Sequence, residues 1–166
     1  MKKLLLPALI VVIAVQLSVP VYSIFNRYDI LKTGEEFRFR VAPVDPYDAF
    51  RGRYVSLNVE QGRHGLGRYG IIAIDSEGFA IISSITDTKP ASGAYVKNSA
   101  REWFRLPIDR YYMDENLAPL AQELTRKPDI AEKTYVTVRL KKGEMVISGL
   151  FIDDIAIEDI IRNNSN

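Results

Sequence analysis

Asp45, Asp48, Arg51 and Arg53 fall within nine positions of one another. Pro46 fixes a turn among them, and Asp in such a turn accepts hydrogen bonds from the backbone N–H groups that follow. Arg51 can fork onto a carboxylate through two parallel hydrogen bonds. Two roles fit this chemistry. One is a polar pocket for a charged ligand or a peptide end. The other is a structural turn whose ion pairs hold two strands together. Tyr54 follows directly. A second polar-aromatic cluster, Asp109, Arg110, Tyr111 and Tyr112, lies far along the chain.

Other chemistries find little support. His64 is the single histidine and cysteine is absent, so a zinc site built on Cys or several His is excluded. His64 sits in a basic glycine-rich loop and reads as a solvated residue. Asp153 and Asp154 could bind a cation, though adjacent acids in a turn are usually solvated. Ser56, Ser83 and Ser84 do not occupy a G-x-S-x-G elbow. A Ser–Lys dyad needs only burial and proximity, so it stays open. No phosphate-cradling or dinucleotide-binding pattern occurs, and no cofactor is implied. Lys and Arg total 22 against 21 Asp and Glu, a net charge of +1, which gives no global field toward nucleic acid.

The elements that must position these residues begin with an apolar segment. Leu4 to Phe25 contains no charged residue. As a helix it spans about 33 Å, enough to cross a hydrocarbon core. Lys2 and Lys3 before it place the N-terminus in the cytoplasm and the bulk outside, as a single-pass protein of the cell membrane with an extracytoplasmic, periplasmic domain. Residues 1–27 are thus expected to be a membrane anchor held in lipid, and residues 28–166 a β-rich domain. A cleaved signal peptide is the competing reading. Val21 and Ser23 suit the positions before a cleavage site, Pro20 would end the apolar region, and Ile24 would then be the mature N-terminus.

Beyond the anchor, apolar alternation predicts strands. Phe37, Phe39 and Val41 share one face of Gly34 to Val44. Val55, Leu57 and Val59 do so in Arg53 to Glu60. Tyr69 to Ile74 and Phe79 to Ile85 pair across a turn at Asp75 to Gly78. Ala94 to Lys97, Glu102 to Leu106, Thr134 to Leu140, Met145 to Ile152 and Ile155 to Ile161 complete the set. One helix, Asn116 to Arg126, has Leu117, Leu120, Ala121 and Leu124 on one face. The fold class expected is mainly β with a minor α part: a compact β-barrel or sandwich with one short helix, plus the N-terminal transmembrane helix.

The run Pro43-Val44-Asp45-Pro46-Tyr47-Asp48-Ala49-Phe50-Arg51-Gly52-Arg53-Tyr54-Val55-Ser56-Leu57 resembles the GDYXXLXY family of membrane-anchored envelope proteins. Leu106-Pro107-Ile108-Asp109-Arg110-Tyr111-Tyr112-Met113-Asp114-Glu115 is similar to a second run of that family. Arg53 stands where the name motif has Asp, Val59 where it has its last Tyr, and Asp109 where the second run has Glu. The change to Arg53 argues against catalysis by the motif. The resemblance implies no established activity. It implies a multi-span membrane protein as partner, and it invites the expectation that the two clusters meet in space, with Asp109 on Arg51 or Arg53. The strand carrying Gly52, Tyr54, Val55 and Leu57 is also similar to one in signal-peptidase-like barrels. No S-x-M nucleophile element accompanies it, so that likeness concerns shape. The function expected is a membrane-anchored envelope accessory or binding domain acting with a membrane partner. The alternative is an envelope hydrolase with a Ser–Lys site on such a barrel.

Overall fold

The computed structural model describes residues 2–42, 54–60, 62–98, 103–114, 116–125 and 128–164, with the side chains of residues 2–8, 10, 42, 56, 122, 128, 131 and 164 outside that description. Helix α1 (Lys2–Thr33) runs without interruption through Pro20 and well past the apolar segment. Large apolar side chains from Leu9 to Phe25 are exposed along it. Among the described residues, no helix is long and apolar enough to cross a membrane. The expected span of Leu4 to Phe25 begins in the stretch whose side chains lie outside the description.

The last turns of α1 are built into the β domain. Ile30 is buried, and the Lys141 amine lies 2.7 Å from the Asp29 carboxylate and donates to the Thr33 hydroxyl. Lys141 holds the Asp29 carboxyl below its usual pKa, chiefly through the hydrogen bond the amine donates to that carboxylate. The Gly34 N–H donates to the Ile30 carbonyl at 2.8 Å and ends the helix. A Cβ on Gly34 would lie 2.5 Å from the Ile30 carbonyl oxygen and 3.1 Å from that of Leu140. Glycine is therefore what lets the helix end rest on the sheet.

Strand β1 (Glu35–Ala42) starts at the next residue. It is followed by β2 (Tyr54–Ser56), β3 (Asn58–Val59), β4 (Tyr69–Ile74), β5 (Ala80–Thr86), β6 (Tyr95–Lys97) and β7 (Arg110–Tyr112). Then come α2 (Ala118–Thr125), α3 (Pro128–Ala131), β8 (Thr134–Lys141), β9 (Glu144–Ile152), β10 (Ile155–Ala156) and α4 (Ile157–Asn164). The strands form a five-stranded sheet ordered β10-β9-β8-β1-β3, a three-stranded sheet β5-β4-β6 and a two-stranded ribbon β2-β7, all antiparallel. One apolar core joins them: Phe39, Val136, Val138 and Leu150 from the first sheet, Ile82 and Val96 from the second, Val55 from the ribbon, and Phe104 from a loop.

The mainly β class with a minor helical part therefore holds. The barrel does not: among the described residues the sheets remain separate and none closes on itself. Nor is there one short helix. Ile155 to Ile161 forms only the two-residue strand β10 before turning into α4. Alternate apolar positions suggested a strand there, but Ile157, Ile160 and Ile161 also fall at helical spacing, and Ile157 and Ile161 are buried. Glu158 and Asp159 in the first turn complement the helix dipole. Trp103, within the strand expected over Glu102 to Leu106, makes only an isolated bridge to Leu66. The single strand expected over Arg53 to Glu60 divides in two, β2 in the ribbon with β7 and β3 beside β1 on the edge of the five-stranded sheet. The other expected strands appear with bounds shifted by a residue or two, and Phe37, Phe39 and Val41 are buried. The Asp75 turn forms as well. Its carboxylate accepts the Glu77 and Phe79 N–H groups, each at 2.9 Å.

Candidate functional site

Strands β2 and β7 bring the two motifs together. Tyr54 pairs with Tyr112, Val55 with Tyr111 and Ser56 with Arg110. The Leu57 N–H then donates to the Asp109 carbonyl at 2.9 Å, extending the ribbon by one bond. Side chains alternate across it, as the strand period requires. Val55 is fully buried and Tyr111 half-buried on the inner face. Tyr54, Arg110 and Tyr112 point outward.

The outer face is an aromatic-cationic cluster. The Tyr54 and Tyr112 rings lie 5.7 Å apart, inclined at 59°. The Arg110 guanidinium sits 5.0 Å from the centre of the Tyr54 ring, on the diagonal that cross-strand neighbours use. The Asp109 carboxylate lies 3.8 Å from the Arg110 Nε. Arginine is always cationic, and a hydrogen bond with Tyr112 together with the nearby Asp109 carboxylate raises the Arg110 pKa further. Tyr112 is 66% exposed. The cluster thus presents two rings and one fixed positive charge to its surroundings.

On the inner face, the Tyr111 hydroxyl donates to the Glu158 carboxylate on α4 at 2.5 Å. Burial first, and the Glu158 carboxylate second, push the Tyr111 pKa well above the usual tyrosine range. Tyr111 is therefore a neutral pin between the ribbon and the C-terminal helix. Alternation at Ile155, Ile157 and Ile161 hides Glu158 as a strand position, whereas it lies in the first turn of α4. Its place in the first turn after Ile157 was the available signal.

Asp45, Asp48, Arg51 and Arg53 lie outside the described residues, and so does the expected pairing of Asp109 with Arg51 or Arg53. Of the candidate residues, the ribbon unites Tyr54, Asp109, Arg110, Tyr111 and Tyr112. Two polar clusters not expected from the sequence lie elsewhere. Arg40 binds Asp75 at 2.6 Å and Glu77 at 2.8 Å while its guanidinium lies 4.2 Å from the centre of the Phe79 ring. Asp154 accepts from the Tyr135 hydroxyl at 2.5 Å and pairs with Arg38, and Asp153 pairs with Lys133 at 3.0 Å. The two adjacent acids are thus engaged in ion pairs.

Among the described residues, no group of three or more His, Asp or Glu is arranged to hold a metal ion. The Ser83 hydroxyl donates to the Ile71 carbonyl, and no described serine is hydrogen-bonded to a lysine. Lys141 does meet a hydroxyl, that of Thr33, but Asp29 shares the same amine. That set braces the helix.

A family model described as GDYXXLXY protein matches residues 16–150, from within α1 into the core strand β9. No curated protein and no solved structure matches the chain.

Proposed function

We propose that this chain, which belongs to the GDYXXLXY family, is a membrane-anchored envelope binding domain. It engages a partner protein through the outer face of the β2-β7 ribbon. One observation carries the reading: Tyr54, Arg110 and Tyr112, from two distant parts of the chain, converge on one exposed surface. Tyr and Arg are the side chains that dominate protein interfaces, because they bury much area and retain a hydrogen-bonding tip. The Asp109 carboxylate stays close to the guanidinium without covering it, so an acidic or carbonyl-rich partner strand finds a fixed donor. The anchor reading rests on the uncharged run Leu4 to Phe25 and on the apolar side chains exposed along α1 from Leu9 to Phe25. A multi-span membrane protein fits as the partner, because it would lie in the same bilayer.

The test is site-specific photocrosslinking from Tyr112 in intact cells. Wild-type chain should yield one discrete adduct, and Arg110→Glu should abolish it while leaving the melting temperature unchanged. If no adduct forms, or if Arg110→Glu loses the adduct only in step with stability, the ribbon is structural and the proposal fails.

A further inference from the structure

The opposite end of the domain carries a second surface, at the point where α1 enters. β1 and β9 both begin there, β8 ends there, and the Lys141 to Glu144 hairpin projects back along the helix. Asn26, one residue past the apolar run, donates to the Glu144 carboxylate at 2.7 Å. From that contact a continuous path leads sideways. The Lys97 amine lies 3.7 Å from Glu144, and the Lys97 N–H donates to the Gly143 carbonyl at 2.9 Å. The Asn98 N–H donates to the Arg68 carbonyl, and its side chain reaches the Gly67 carbonyl at 3.1 Å and that of Trp103 at 3.4 Å. Trp103 in turn bridges Leu66.

Two features of this end point outward. Leu66 is 69% exposed and Trp103 59% exposed, side by side on two loops. Arg68 lies two residues from Leu66 and shares the Asn98 contact with Trp103, while Lys97, Lys141 and Lys142 lie on or beside the hairpin that meets α1, against Asp29 and Glu144. Asp29 and Glu144 are each already met by a lysine. The hairpin tip uses left-handed backbone at Lys142 and Gly143, φ 52° and 84°, which is the tight type I′ geometry and holds the Lys142 side chain out on a rigid turn. Gly34 alone separates helix from sheet, so the tip has little freedom to swing away from the level of Asn26.

We infer that this end lies on the bilayer surface, with Trp103 and Leu66 inserted at headgroup depth and the surrounding Lys and Arg on anionic lipid phosphates. The inference rests on the anchor reading above. Tryptophan beside an aliphatic residue suits the interface, where the ring body is apolar and the indole N–H stays wet. Basic residues near the surface add attraction to anionic lipid, within a Debye length. The ribbon of β2 and β7 would then stand at the far end of β1, about 25 Å from the membrane surface at the ordinary strand rise.

Trp103 is the single tryptophan of the chain, so its fluorescence reports this contact alone. The full chain would be reconstituted into vesicles of phosphatidylcholine with phosphatidylglycerol, and flotation would show whether it enters them. The expected result is a Trp103 emission shifted to shorter wavelength, quenched by lipids brominated near the headgroup and protected from acrylamide. Leu66→Glu should remove that protection without lowering the melting temperature, since Leu66 is exposed. Pure phosphatidylcholine, or Lys142→Glu combined with Arg68→Glu, should weaken it. A floated chain whose Trp103 is fully open to acrylamide overturns the inference while keeping the anchor, and it would assign the pair to a protein partner instead. A chain that does not float overturns both.

Discussion

At the residue scale, Tyr111 ties the candidate site to the fold. Its ring faces the core beside Val55, while its hydroxyl donates to Glu158 on α4. A hydrogen bond to a charged acceptor contributes about 1.5 kcal/mol at a half-buried site. Tyr111→Phe should lower stability by about that amount, read from the urea midpoint, and should leave the outer face of the ribbon intact. The pH dependence has a defined sign. Burial and Glu158 raise the folded pKa of Tyr111 above its unfolded value. The folded state therefore holds the proton longer than the unfolded one. The stabilisation is complete below the unfolded tyrosine pKa of about 10 and is lost as pH rises beyond it. Tyr135, shifted in the same direction by burial and then by Asp154, adds to the same alkaline loss. Urea midpoints measured upward from neutral pH should fall more steeply above about pH 10 in the wild type than in Tyr111→Phe. Equal slopes would show that the hydroxyl is not held as described.

At the element scale, the join between α1 and β1 is the least forgiving point. A Cβ at Gly34 would press on the carbonyl oxygens of both Ile30 and Leu140. These are backbone atoms and cannot rotate away, so the helix or the sheet must shift. Overpacking of this kind costs about 1–3 kcal/mol. Gly34→Ala should accordingly lower the melting temperature and weaken the Asp29–Lys141 brace, whereas an unchanged melting temperature would mean that the join is loose. This element was only partly legible in the sequence. The apolar run ended visibly at Phe25, but nothing in the pattern showed that the helix would continue to Thr33, because Asn26, Asp29 and Thr33 take their partners from β8 and β9. The half-buried strands were legible, since Phe37, Phe39 and Val41 alternate with charges and only one register hides them. The helix α4 was not, because Ile155, Ile157 and Ile161 satisfy a period of two as well as Ile157, Ile160 and Ile161 satisfy the helical one. The site was legible by residue type and by the likeness of its two motifs. The Tyr54–Tyr112 register was not, because strand pairing across more than fifty residues leaves no local signal.

At the scale of the whole molecule, the two ends of the domain differ in character. The helix-exit end carries Trp103, Leu66 and a basic fringe, and the far end carries the Tyr54, Arg110 and Tyr112 cluster. The proposed anchor in α1 would give the helix-exit end a fixed neighbour, the bilayer. On the anchor reading proposed above, Lys2 and Lys3 before the apolar run favour the N-terminal side in the cytoplasm and the β domain across the bilayer. A large domain crosses largely regardless of its own charge, so the basic fringe does not oppose that orientation. A reporter fused after Asn166 that works only outside the cytoplasm should therefore be active, and one that works only inside should be silent. Carbonate washing should leave the full chain in the membrane fraction, since a span buried in hydrocarbon is held by its apolar area and not by charge. A mature N-terminus at Ile24 with a carbonate-soluble product would keep the compartment and reject the anchor. Activity of the cytoplasmic reporter would reverse the orientation. The ribbon would then face partners inside the cell, and an envelope partner would be ruled out.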